Sequence, residues 1–247
     1  MTDIRTIIIT IASAIISLSA VSCQKDSTLY YNNMTMGNVV DGRFVSDQGN
    51  TFNIVEQTCD GRVDTMTRAV MICDILNITK GEKNAYDVRL KQLAKVLTKQ
   101  PLSAAEATGD AEVTDPIHIS EVWFSGGYLN MHVMLPMSRG SKHLINLVHE
   151  KNEDGSFTFE LRHNAFGDTV SNSSSSLLLG GNYVSFPIVG TIGSGSARIT
   201  LRWKWYEAQA DGYGWTGTEK EYKAIYDLGL LSSTPPVCTG SPEILQN

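Results

Sequence analysis

Apolar and polar residues alternate on both sides of Ser125-Gly126-Gly127 in the stretch IHISEVWFSGGYLNMHVMLP, residues 117–136. A period of two with a central glycine pair is the pattern of a β-hairpin that buries one face. Parity then bears on the loop length. A two-residue loop puts Ile117, Ile119 and Trp123 on the face opposite Leu129, Met131, Val133 and Leu135. A three-residue loop, with a glycine supplying the left-handed position, puts all seven on one face. One shared face has a core to pack against, so the expectation is a three-residue loop.

The same period continues downstream. Residues 142–151 (KHLINLVHEK), 155–164 (GSFTFELRHN), a segment ending near Ile188 and residues 196–208 (SARITLRWKWYEA) all read as strands. Glu153-Asp154-Gly155-Ser156 supplies a hairpin turn. Phe157, Phe159 and Leu161 share a face with His163, while Thr158, Glu160 and Arg162 point to solvent. Sheets with one wet face imply an antiparallel β-sandwich over residues 116–231. Its last stretch, 222–231, reads as a short helix or an edge strand. The serine run 171–176 reads as a connector, and residues 232–247, with Pro235, Pro236 and Pro242, as a flexible tail.

The first half of the chain is built from shorter strands. GNVVDGRFVSDQGNTFNIV gives two of them around the turn residues Asp47-Gln48-Gly49-Asn50. Residues 68–76 (RAVMICDIL) form a mostly buried third. Residues 86–99 (YDVRLKQLAKVLTK) start as a strand and lose their alternation after Lys91. Strands of this number and size suit a small OB-like barrel over residues 37–100. Residues 101–115, rich in small and acidic side chains with a proline on either flank, read as the linker between the two domains. The fold class expected is all-β: an OB-like barrel followed by a β-sandwich.

Residues 1–22 stand apart. Arg5 precedes an apolar run, residues 7–18, then the small residues 19–22 and Cys23. The run falls short of the roughly 20 residues of a membrane span and suits a secretory signal. A cysteine directly after small residues resembles a bacterial lipoprotein signal, which implies Cys23 as the lipidated first residue of the mature chain. Gln24-Lys25-Asp26-Ser27 resembles a surface-export tag of Bacteroidetes lipoproteins, and residues 23–36 form the tether in either case. The expected location is the outer membrane, lipid-anchored; such a tag would expose the chain at the cell surface, and the residues leave the membrane face open.

Charge and cysteine content exclude several functions. Residues 24–100 carry ten Lys/Arg against nine Asp/Glu, and residues 101–247 nine against sixteen, so neither half has the basic footprint of a nucleic-acid partner. With Cys23 lipidated, Cys59, Cys73 and Cys238 remain. Cys59 and Cys73 flank a hairpin where they could pair, or Cys73 is an inert thiol buried in its strand.

No catalytic set emerges. In the three-residue register His132 opposes Ser120 and lies diagonal to His118 on the face away from Trp123, where two imidazoles would share a metal only if a third ligand arrived. His149-Glu150 lacks the second histidine of a zinc protease motif. His163, Asn164 and Asp168 are separated by a turn, and no serine sits in a nucleophile elbow. Gly193-Ser194-Gly195 is a loop, and Glu219 with Glu221 is ordinary surface chemistry. The expectation is a chain that is not an enzyme and has no cofactor or metal. Phe124, Tyr128, Trp203 and Trp205 are its candidate binding surface, for a protein, peptide or glycan. Ser27, Thr65 and Thr169, each following an aspartate, resemble O-glycosylation sites of Bacteroidetes exported proteins.

WFSGGYLNMHV, HLINLV and LRHNAFGD, with the lipoprotein start and GRFVSDQGNTFNIV, resemble the NigD-like lipoproteins of Bacteroidetes. Trp123, Gly127, Tyr128, Leu129, Asn130, His163, Asn164 and Asp168 match that family's pattern. The resemblance covers nearly all of the mature chain and implies the same two-domain fold. It supplies no catalytic residues. The family takes its name from a bacteriocin gene cluster, so self-immunity is the alternative to a general binding role, with a glycan-acting enzyme ranked below both.

Overall fold

The computed structural model describes residues 29–62, 66–136, 141–168, 179–193, 195–210, 215–229 and 245–246, and among these described residues are fifteen strands and two short helical turns. Five strands close the barrel: β1 (Leu29–Val40), β2 (Arg43–Ser46), β3 (Thr51–Gln57), β4 (Arg68–Ile78) and β5 (Ala85–Lys95), in the order β1-β2-β3-β5-β4. Phe44, Phe52, Met71, Cys73, Val88 and Leu90 fill it. The barrel begins at Leu29, eight residues before the start expected at 37. The first strand is long because it bends across two neighbours: Leu29 faces Ile75 of β4, while Gly37 faces both Ser46 of β2 and Ala69 of β4. Half of the expected tether is therefore strand.

Cys59 and Cys73 are free thiols. Burial, with Asp74 second, pushes the Cys73 thiol up to about 11. An alkylating reagent at pH 8 is expected to leave Cys73 unmodified in the folded protein and to modify it in urea, as read by peptide mass spectrometry. Equal labelling of Cys59 and Cys73 without urea would contradict this packing.

The second domain is a sandwich of two sheets. One has the order β14-β13-β11-β10-β15, built from β10 (Lys142–Lys151), β11 (Phe157–Asn164), β13 (Ala197–Ala208), β14 (Trp215–Leu228) and β15 (Leu245–Gln246), with β7 (Leu102–Ser103) also on β10. The other has the order β6-β12-β9-β8, from β6 (Leu97–Thr98), β8 (His118–Ser125), β9 (Tyr128–Pro136) and β12 (Leu179–Pro187). β11 alternates buried and half-buried residues from Phe157 onward, as its sequence requires. The sheets are mixed. β11 and β13 are parallel because the chain crosses to the opposite sheet for β12 and returns, and β6 and β7 also pair in parallel with β12 and β10. Residues 222–228 lie in an edge strand, and of the expected tail only Leu245–Gln246 is described, paired with β10.

The opening hairpin turns differently from its expected form. Ser125 pairs with Tyr128, so the loop is the two residues Gly126-Gly127, with φ of 58° and 83°. Two positive φ values define the hairpin turn that matches strand twist. Parity is restored by a β-bulge between Ile119 and Glu121, which shifts the alternation by one residue. Ile117, Ile119, Leu129, Met131, Val133 and Leu135 therefore do line the sandwich core, joined by Val122 and Phe124. Trp123 does not. It faces the other way, with Tyr183, against Met36 and Val70 of the barrel and Val96, which joins β5 to β6.

Residues 101–115 are likewise part of the sandwich rather than a free linker. β7 pairs with β10, and a 3-10 turn, Gly109–Glu112, packs on β10 and β11. Asp115 is the main fastener: its N–H donates to the His163 carbonyl at 2.8 Å, and its carboxylate accepts the Ala165 N–H at 2.8 Å.

Candidate functional site

The most concentrated polar chemistry lies at the seam between the domains. Arg68, the first residue of β4, is 1% exposed. A guanidinium in such a place must satisfy every N–H, and this one does. Nε donates to Ser185 Oγ at 3.0 Å. Nη1 donates to Asn38 Oδ1 at 3.0 Å and Asp47 Oδ1 at 2.8 Å. Nη2 donates to Asp47 Oδ2 at 2.8 Å and Asn130 Oδ1 at 2.9 Å. Its carbon sits 3.8 Å from the Tyr128 ring centroid, a cation–π contact strengthened by desolvation. The partners come from both domains: Asn38 and Asp47 from the barrel, Tyr128, Asn130 and Ser185 from the sandwich. Ser125 Oγ closes the ring, donating to Asp47 Oδ2 at 2.5 Å and accepting from Asn130 Nδ2 at 3.1 Å.

Gly126 belongs to this seam. A Cβ on it would lie 2.5 Å from Asp47 Oδ1, on a backbone at φ 58°. The carboxylate cannot retreat without breaking its fork to Arg68. Gly126→Ala should therefore cost at least about 1–2 kcal/mol, from left-handed strain and lost fork geometry together. Urea unfolding measures it, and an unchanged midpoint would mean Asp47 is not held as described.

A second buried cluster lies under the 101–115 segment. His143 and His163 stack with ring centroids 5.1 Å apart, at 0% and 1% exposure. Nδ1 of His163 is 3.1 Å from the Pro116 carbonyl, which only accepts, so that nitrogen carries the proton. Burial, then the neighbouring His143, holds His163 down to about 4 and hence neutral. Its Nε2 then accepts from Nδ1 of His143 at 2.9 Å, and Nε2 of His143 faces Asp168 Oδ2 at 3.2 Å and Ser141 Oγ at 3.1 Å. The chain Asp168–His143–His163–Pro116 has the order of a proton relay, with both rings buried and the Asp168 carboxylate partly exposed at its end.

The residues expected to form a surface are mostly inside. Tyr128 and Trp205 are each 2% exposed. Tyr128 is the platform under Arg68, and Trp205 packs against His118, Tyr206 and Trp215 with its indole N–H unpartnered. Phe124 and Trp203 are half-buried, set edge-on to Tyr226 and stacked on Tyr222. Sequence alternation did not reveal this because both faces of these strands are covered near the seam and the sandwich end. Cys23, Ser27, Thr65 and Thr169 lie outside the described residues, as does the serine run. His132 pairs with Glu121, contacts Tyr183 and so shares the Trp123 face, opposite to expectation, because the two-residue turn sets Trp123 against Asn130 and Glu121 against His132. Its Nδ1 still reaches Ser120 Oγ at 2.6 Å. Among the described residues no three His, Cys, Asp or Glu side chains are grouped to hold a metal. Glu219 and Glu221 face Lys204 and Arg202 at 4.0 and 3.9 Å on the sheet surface.

One signal in the sequence pointed at the seam. Arg68 opens a strand whose next five residues are apolar, and a cation on a doubly covered strand needs a buried anion. Which anion was not readable, since Asp47 sits 21 residues away in a turn. An open groove of about 520 Å³ lies beside the seam, where Met34, Val70, Ile72 and Leu93 of the barrel meet Tyr183 of the sandwich.

The chain is thus an OB-like barrel joined to a β-sandwich through a buried Arg–Asp junction. Residues 100–213 match the NigD-like C-terminal beta sandwich domain. Solved structures share the fold at low identity. A NigD-like immunity protein from Bacteroides caccae ATCC 43185 is 17% identical at a TM-score of 0.56, covering 79% of this chain and 96% of its own. A protein of unknown function DUF1344 from Bacteroides vulgatus ATCC 8482 is 22% identical at 0.54, covering 83% and 95%. A candidate lipoprotein from Bacteroides fragilis NCTC 9343 is 11% identical at 0.53, covering 82% and 99%. Comparison with curated proteins gives no match.

Proposed function

We propose that this chain is a non-enzymatic, lipid-anchored protein of the outer membrane that binds a protein, peptide or glycan. One observation carries the reading: the buried ionisable groups are committed to one another. Arg68 and Asp47 are 1% and 2% exposed at their side chains, and His143 is 0%. A substrate would have to reach such groups for them to act on it. The described groove beside the seam is lined largely by apolar side chains, which suits binding better than turnover. The anchor reading draws on the apolar run before Cys23, and the fold likeness to a candidate lipoprotein agrees with it. No helix among the described residues is long and apolar enough to cross a membrane.

The test is to present purified mature protein to arrays of glycans and peptides and then to assay each bound ligand for chemical change. Ligands recovered intact are expected. Consumption of a ligand that stops on replacing a single acidic residue would make the protein an enzyme. Half-buried Phe124 and Trp203 are the aromatic positions left to substitute. Ser27, Thr65 and Thr169 are proposed as glycan attachment points, and an intact mass equal to the bare mature chain would dismiss them.

The second reading is self-protection against a bacteriocin, favoured by the fold shared with the Bacteroides caccae immunity protein. It predicts that deletion sensitises the producing cell to its own toxin.

A further inference from the structure

The start of the barrel and its most exposed apolar side chain lie at one end of the molecule. Leu29, where β1 begins, pairs with Ile75 of β4, and β4 runs on to Ile78, about 10 Å further. Ile78 is 72% exposed, more than Met34, Val40, Val55, Phe166 or Ile225. The turn that follows carries exposed Lys80 and Lys83, and its one acid, Glu82, is held by Arg43 at 2.7 Å. Asp87, which accepts from Thr79 Oγ1 at 2.8 Å, is a second acid beside the turn, so Arg43, Lys80 and Lys83 against Glu82 and Asp87 leave the tip one net positive charge around an apolar point. Arg68 and the seam lie at the opposite end of β4, about 33 Å away along the strand.

Only five residues lie between Cys23 and Leu29, a reach of at most about 20 Å when fully extended. A lipid on Cys23 thus holds this end of the barrel near the bilayer. We propose that the β4–β5 tip rests on the membrane, with Ile78 at the acyl boundary and Lys80 and Lys83 against anionic phosphates, so that the sandwich projects away from the lipid. The proposal rests on the lipid-anchor reading. A lone exposed isoleucine is unremarkable on a soluble surface. Beside a short tether and two lysines it matches an interfacial contact, where the apolar group leaves water and the cations meet headgroup charge.

The test uses the full chain, processed and lipidated in cells and reconstituted into vesicles of phosphatidylethanolamine and phosphatidylglycerol. A photo-crosslinking amino acid is placed at position 78 or, in a separate variant, at position 225, which is 52% exposed on β14 of the sandwich. Radiolabelled palmitate is followed in the same samples. The expected result is phospholipid adducts several-fold more abundant at 78 than at 225, reduced when Lys80→Glu and Lys83→Glu are combined. Labelled protein with equal adducts at both positions, or with adducts to protein only at 78, would overturn the tip while leaving the anchor intact. Protein without palmitate would remove the anchor, and the proposal with it.

Discussion

Replacing Arg68 with alanine should cost about 3–5 kcal/mol of unfolding free energy, because Asp47 is left buried and charged without its partner. Asn130, Ser185 and Asn38 lose a donor in the same step. The loss should not be confined to the barrel. All four tryptophans, Trp123, Trp203, Trp205 and Trp215, stand on sandwich strands, so their fluorescence reports that domain in urea. If the seam couples the two domains, the tryptophan transition shifts with the far-ultraviolet one. A tryptophan midpoint equal to wild type would show the sandwich to be indifferent to Arg68. The double replacement Arg68→Met with Asp47→Leu should recover part of the loss, since it removes both charges from a dry site.

Acid should destabilise the fold through His163. Its folded value, about 4, lies below the ordinary 6.5, so the unfolded chain takes up a proton that the folded one refuses. The contribution is fully present above pH 6.5 and is lost as pH falls toward 4, where it amounts to on the order of 3 kcal/mol. The groups facing the ring pair are His143, Ser141 and Asp168 on one side and Asp115 with the Pro116 carbonyl on the other. Asp115 partly offsets the effect by favouring the charged ring. His163→Gln should flatten the difference between pH 7 and pH 4.5 while lowering stability at both. A variant with the wild-type slope would place the titration elsewhere.

Much of this architecture was legible because burial here follows period two. β10, β11 and β13 follow their apolar alternation to within two residues, and the turn at Asp154-Gly155 falls where composition put it. The hairpin loop was misjudged for a definite reason. A bulge at Ser120 changes which residues face inward, and nothing local to Ser120 distinguishes it from a strand residue. The aromatic surface was misjudged because alternation reports which face a ring takes, and not whether a second domain covers that face, as the barrel covers Tyr128. The 101–115 segment looked like a linker because its contacts are made by backbone and by Asp110 and Asp115, side chains that also typify loops. The seam itself is a long-range object: Asp47, Arg68, Asn130 and Ser185 are brought together only by the finished fold.

Membrane anchoring depends on whether Cys23 carries lipid. Metabolic palmitate labelling of wild type and Cys23→Ala, followed by protease treatment of intact cells, tests it most directly. The prediction is labelled wild-type protein that external protease removes, and unlabelled Cys23→Ala protein released from the membrane. Wild-type protein free of label and recovered in the soluble fraction would contradict it.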